Sequence, residues 1–345
     1  MQVSAGSSRT SSGTVDDPHF GRASRVAAAI TAVQFGPDRP VRSLWTNARR
    51  RFMRERLSVV GLVITGVFIA LGLIGPLIAP YDYLAQDLSH TASPPSALHL
   101  LGTDNVGRDM LSRILWGYQT ALAVTTIVTL AALSIGTLVG GLSGYLGARV
   151  DYVLGWVTNL VMTIPSLLLA VLVDYAVRQP MGNLFESIYR QTRWGFFSTG
   201  VYSDYVVVFA SLSLVFWPHY ARLIRGQVLS IRERDYVVSA RAIGVSVGRL
   251  MTHYLIPNAI GPVLVVAALG AADIIVLEAS LSYLGVGIQP PGASWGTMIH
   301  ENLAQWSYRA HLVVIPAIVL GVTALGIAFL GNGLADALDP RRGRS

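Results

Sequence analysis

Three acidic side chains stand within or beside long apolar runs of this 345-residue chain: Asp174, Asp273 and Glu278. A carboxylate in such surroundings is costly and marks an ion path, a substrate path or a polar contact between helices. Asp174 falls at the outer end of its run, where the cost is small. Asp273 and Glu278 are five residues apart, so on one helix they do not share a face. Two roles stay open for Glu278: a helix-packing hydrogen bond, or a place along a translocation path. Other reactive residue types are missing or dispersed. There is no Cys, hence no disulfide, thiolate nucleophile or thiolate metal site. All 26 basic residues are Arg. Without Lys there is no Walker A lysine to reach nucleotide phosphates and no Schiff base, so no catalytic site is assigned. The seven histidines (His19, His90, His99, His219, His253, His300, His311) show no ligand spacing on one helix, so no metal site is assigned.

The elements that carry these residues are set by hydropathy. The chain is 52% hydrophobic and 13% charged, with a mean hydropathy of +0.51. A soluble domain carries about 25% charged residues. The composition points to an all-α membrane protein, and a bilayer core about 30 Å thick takes roughly 20 apolar residues per helix. Six runs qualify: Leu57–Ala79, Thr120–Leu142, Tyr152–Val173, Tyr205–Leu223, Ala259–Leu281 and Leu312–Leu334. Residues 1–45 read as a disordered tail rich in Ser, Thr, Gly, Arg and Asp. Segment 46–117 holds the basic run Arg49-Arg50-Arg51, the first span and an external loop. Segment 118–335 holds the other five spans, and 336–345 is a second tail. Twenty arginines fall on the side of the two termini and six on the other. The positive-inside rule therefore places both termini in the cytoplasm, and the +7 charge reads as an orientation signal in a lipid bilayer, with no nucleic-acid partner.

Between spans four and five lies a basic loop, 224–258. Its segment Asp235–Asn258 has the form of two short helices, with a break at Gly244 and an exit at Pro257-Asn258. Tyr236, Ala240 and Ile243 fall at i, i+4 and i+7 and make one apolar face, and Ser246 is placed to cap the second helix. Such an element either lies on the lipid surface or docks a soluble partner. On the other side, Asp104, Arg108 and Asp109 precede span two. They serve as caps and packing groups, or they touch an external partner. A long stretch, Pro180–Asp204, carries Leu184, Phe185, Ile188 and Tyr189 at helical spacing, followed by Trp194, Phe196, Phe197 and Tyr202. It reads as an interfacial helix, or as a ledge where Trp194 meets an external partner. Trp295 and Trp306 read as interfacial anchors.

These motifs carry a family resemblance. Ser239-Ala240, Gly244, Ile256 and Pro257 resemble the EAA loop of ABC importer permeases, with Val238 in place of its Glu and Tyr254 in place of its Ile. His99 to Asp104, followed by Gly107-Arg108-Asp109 and Leu111-Ser112-Arg113, resembles the stretch after the first helix of dipeptide/oligopeptide-type permeases, with Leu100 in place of Pro. Trp217-Pro218, Leu281 to Gly285, Gly287 to Pro291, Ser294-Trp295-Gly296 and Gly331 to Arg341 match later family runs in order. The resemblance covers about 45–342 and is to the second, C-type permease of the pair. It implies a type I ABC importer transmembrane domain with six helices, in a bacterial cytoplasmic membrane. The implied partners are a second homologous permease, two ATPase subunits that bind ATP and Mg, and an extracytoplasmic solute-binding protein. No cofactor is implied in this chain. Arg234, Asp235, Tyr236, Ala240, Gly244 and Pro257 are the implied ATPase-coupling residues. Peptides are the implied cargo, with nickel, glutathione or another small solute as alternatives. A self-sufficient secondary transporter, coupled through Glu278 or Asp273, is the competing class. It is disfavoured because no broken-helix repeats are evident.

Overall fold

Apolar runs of this length form long helices, since in lipid only a helix satisfies its own backbone. The structure, a computed structural model, describes residues 49–197 and 200–338. The expected tail at 1–45 and the closing residues 339–345 lie outside them. The order is α1 (Arg56–Ile78), α2 (Met110–Tyr145), α3 (Ala148–Thr163), α4 (Ser166–Thr192), α5 (Gly200–Ile231), α6 (Asp235–Ala242), α7 (Ile256–Tyr283), α8 (Trp295–Asn302) and α9 (His311–Leu338). No strand occurs among the described residues. Among the described residues five helices are long and apolar enough to cross a membrane, and the bent pair α3–α4 makes a sixth if it counts as one span.

That bend corrects the expectation of a straight third span over Tyr152–Val173. The two helices meet at 100°. Pro165 removes a backbone donor, and it forces Ile164 into an extended conformation with φ −85° and ψ 129°. A sharp break between two apolar helices therefore stands where a single helix was expected. Pro180 does not begin a separate interfacial helix either. α4 runs through it to Thr192.

Two packing centres hold the spans. In the first, Gly136, Gly140 and Gly144 make a small-residue stripe on α2 that lets α5 approach closely. A Cβ at Gly140 would lie 2.3 Å from the Ala221 carbonyl oxygen. Val124, Leu212, Trp217, Ile224 and Ile274 fill out this centre. The second centre joins Phe68 of α1, Ile114 of α2, Ile275 of α7 and Ile327 of α9. Trp295 belongs to it at 2% exposure. Its ring meets Tyr118 edge-on at 4.9 Å, and its indole N–H donates to the Ile114 carbonyl at 3.3 Å. It is a core residue, not the interfacial anchor expected. Trp306, at 50% exposure, keeps the exposed position of an anchor.

Candidate functional site

The loop before α2 is built around one carboxylate. Asp104 Oδ1 accepts from the backbone N–H groups of Val106 (3.0 Å) and Arg108 (2.9 Å), closing a turn. Its Oδ2 accepts from Arg108 Nε and Arg113 Nη1, both at 2.6 Å. Both arginines also meet Glu301 of α8, at 2.9 Å and 2.8 Å. Asp109 caps α2, accepting from the N–H and the hydroxyl of Ser112 at 2.8 Å, and pairs with His99 Nδ1 at 2.9 Å. The turn needs Gly107, whose φ of +82° suits glycine and whose absent Cβ would strike the Asp87 carbonyl oxygen at 2.1 Å. Burial alone raises the Asp104 carboxyl, but the Arg113 and Arg108 guanidinium groups and the two backbone donors hold it below its ordinary 3.8. Asp104, Arg108 and Asp109 are 0%, 4% and 2% exposed. This corrects their reading as external contacts, because their polar atoms are spent inside the loop. Trp194 is different. It remains 65% exposed, beside Phe196 and Phe197.

The other intramembrane acids separate just as clearly. Asp174 is fully buried and paired with Arg178 at 2.8 Å. Arg178 also pairs with Asp204 and donates to the carbonyls of Val286 and Gly287. It thereby ties α4 and α5 to the chain that leaves α7. Glu278 is 3% exposed, and its Oε1 accepts from Ser282 (2.9 Å) and Ser294 (2.8 Å). Ser294 in turn caps α8. This geometry is that of a packing hydrogen bond. Asp273 is exposed on another face of α7.

Across the membrane, α6 follows α5 after a turn at Arg232–Arg234. Arg232 donates to the Gly144 carbonyl at 2.8 Å, and Arg241 lies 5.7 Å above the Tyr145 ring. Gly244 ends the helix with φ +84°, as expected of a C-terminal glycine. Of the apolar face formed by Tyr236, Ala240 and Ile243, Ala240 alone turns inward. Val237 (0%) and Ala240 (5%) pack inward, while Tyr236, Val238 and Ile243 are 41%, 48% and 82% exposed. One i, i+3 pair is enough to seat so short a helix, which frees its other apolar residues. Arg234 occupies the N-cap position and Asp235 the first turn. Ser246 takes the N-cap position of the next helical turn but makes no side-chain cap bond. No exit occurs at Pro257-Asn258. A π-helical turn, Leu250–Leu255, leads directly into α7, with Pro257 in its first turn, where a missing N–H costs little. A cavity of about 490 Å³ opens nearby between α2, α3 and α5. It is lined by Asp151, Tyr152, Trp156, Asn159, Arg222 and Arg225 among others.

A bundle of apolar spans interrupted by a short, exposed helix is the architecture of a multi-pass membrane protein. The chain belongs to the binding-protein-dependent transport system inner membrane component family, whose model matches residues 136–344. Residues 43–95 match the N-terminal TM domain of oligopeptide transport permease C. The oligopeptide transport system permease protein OppC of Bacillus subtilis (strain 168) is 34% identical over 299 residues, 87% of this chain and 90% of that one. The dipeptide transport system permease protein DppC of Alkalihalophilus pseudofirmus is 30% identical over the same shares. The glutathione transport system permease protein GsiD of Pectobacterium atrosepticum is 31% identical over 88% of this chain and 93% of that one. A solved structure of the inward-facing MetNI methionine ABC transporter is similar at 18% identity and a TM-score of 0.49, over 67% of this chain and 98% of that chain.

Proposed function

We propose that this chain is the C-type permease of an ATP-driven peptide importer, oriented with both termini and α6 in the cytoplasm. A second permease completes the pathway, and a solute-binding protein delivers dipeptides or oligopeptides from outside. Two ATPase subunits dock on α6 and bind the ATP and Mg. The observation that carries this reading is the surface of α6. A helix seated through Val237 and Ala240 offers Tyr236, Val238 and Ile243 to a partner, on the arginine-rich side of the membrane. The relatives named for oligopeptide and dipeptide transport support the cargo.

In this mechanism, closure of the ATPase pair pushes α6 and moves α7 through the continuous Val247–Tyr283 helix. ATP drives the switch only through its different affinity for the two arrangements. Arg234, Asp235, Tyr236, Ala240, Gly244 and Pro257 carry the coupling, and Trp194 offers an outer contact for the binding protein. The test is purification from native cells in mild detergent, with mass spectrometry of the co-purifying chains and ligand. A second permease, ATPases and a peptide-loaded binding protein are expected. A stable chain without ATPases would replace this reading with that of a secondary transporter.

A further inference from the structure

Asp273 is the one intramembrane acid whose neighbours leave its charge unanswered. It sits in the apolar middle of α7, and no cationic side chain pairs with it among the described residues. The two packed faces of α7 are spoken for. Ile274 and Leu277 join the centre built with α5, and Ala272 and Ile275 join the centre built with α1 and α9. Asp273 lies on the remaining, exposed face. A carboxylate there cannot face lipid cheaply, since a charge within the hydrocarbon core is strongly disfavoured.

The surroundings show what that face meets. With about 100° per residue, successive residues of α5 point to different neighbours. The Tyr220 hydroxyl reaches Gly270 of α7, Ala221 packs on the glycine stripe of α2, and Arg222 donates to Asn159 of α3 at 3.1 Å. His219 and Arg222 of α5 are both exposed. On the lipid-like faces of α1 and α9 the exposed residues are instead Leu62, Val63, Val67, Ile318, Val322 and Leu325. The exposed surface of α3, α5 and α7 is thus mixed, with His219, Arg222 and Asp273 standing among Trp156, Leu160, Leu214 and Val276, whereas that of α1 and α9 is hydrocarbon. A second polar group points to the same place. Tyr220 is 1% exposed, its hydroxyl has no hydrogen-bond partner, and it lies against Gly270, three residues before Asp273 on α7.

We infer that Asp273, with the Tyr220 hydroxyl beside it, is a cation-recognising position on the translocation pathway that receives the α-ammonium group of the passing peptide. The ammonium supplies the charge that Asp273 lacks. The group is present on every unblocked peptide whatever its side chains, so a single carboxylate serves a varied cargo. This assignment rests on the peptide-import reading above.

The natural absence of cysteine makes the test direct. In the complete complex, Asp273→Cys is treated with a cationic trimethylammonium thiosulfonate, and labelling of this chain is read by mass spectrometry. Labelling, slowed by trialanine with binding protein and ATP, is expected. In parallel, trialanine uptake and ATP hydrolysis are measured for Asp273→Asn and Asp273→Glu. Losing one charged partner lowers uptake by about tenfold or more with Asn, while ATP hydrolysis stays within about twofold and Glu restores transport. An unlabelled cysteine, wild-type uptake by Asp273→Asn, or failure of that variant to assemble would each overturn the assignment. The last outcome would mark Asp273 as a packing contact with the second permease. A wild-type complex that imports no peptide overturns the cargo reading and the ammonium with it. The labelling of Asp273→Cys still reports independently whether the position faces water.

Discussion

Around Asp104 the chain gathers two arginines and two acids into a nearly dry lattice, with Arg113 and Asp104 fully buried. Around α6 it does the reverse. Eight residues are held by Val237 and Ala240, and most of the surface is left unclaimed. The two regions lie at opposite ends of α2 and α5, and the difference is one of task. A buried ion network is strong only while every member is present, because a lone buried charge has no water to return to. It fixes geometry. An exposed apolar helix has little internal energy to lose and gains by association. The outer end thus reads as a rigid mount and the inner end as a handle.

The comparison breaks most visibly at its rigid end. Asp104→Ala leaves Arg108 and Arg113 facing each other and Glu301, and is expected to cost about 3–5 kcal/mol. The thermal unfolding midpoint and the yield of assembled complex would both fall. A variant as stable as the wild type would show that the lattice holds nothing. Glu301→Gln is milder, since Glu301 is 13% exposed and one carboxylate remains.

At the inner end, effects on coupling outweigh effects on stability. Gly244→Val puts a β-branched residue at φ +84°, a local strain of about 1–2 kcal/mol, with open space around it. The complex is expected to assemble and hydrolyse ATP while uptake drops. Unchanged uptake would remove Gly244 from the coupling element. Ile243→Ser exposes nothing new, so unfolding shifts by less than about 0.5 kcal/mol. The affinity for the ATPase, measured with the purified subunits, is expected to weaken about tenfold if this side chain anchors the contact.

The smallest effect is on acid stability. The Asp104 carboxyl lies below its unfolded value of 3.8. Its contribution is therefore complete above that pH and is lost as pH falls through the lower folded value. Asp87 behaves alike. The Ser89 hydroxyl and then His90 hold it at about 2, so the turn at 87–90 loosens only between 3.8 and about 2. Hydrogen-exchange protection factors of the outer loop, referred to the intrinsic rate at each pH, are expected to be flat from neutral pH down to about 4. Protection lost near pH 6 would contradict both assignments.

Much of this was legible before any coordinates, and what was legible was local. Asp109 as a cap, Gly244 as a stop, and the apolar windows of α1, α7 and α9 depend on neighbours a few residues away. The Asp174–Arg178 pair was also within reach, since acid and base stand four apart on one helix. Glu301 carried no local signal, because its partners are 193 residues or so distant. The inward side of α6 was not legible, because its apolar residues outnumber what so short a helix can bury. Tyr236 and Ile243 satisfy the periodicity, but Val237 is nearer the spans. Trp295 was read as an anchor because an aromatic residue beside a span is usually one.

The sequence by itself determined the membrane class, the number of apolar segments, the arginine asymmetry and the absence of cysteine and lysine chemistry. These follow from composition and from interactions within a turn or two of helix. Only the tertiary structure decided which acids are neutralised and which one is left open. Glu278 and Asp273 stand on one helix, five residues apart, yet one is enclosed by Ser282 and Ser294 and the other is exposed. What separates them is the packing of α5, α8 and α9 around α7. That packing depends on residues far apart in the chain, and no local pattern records it.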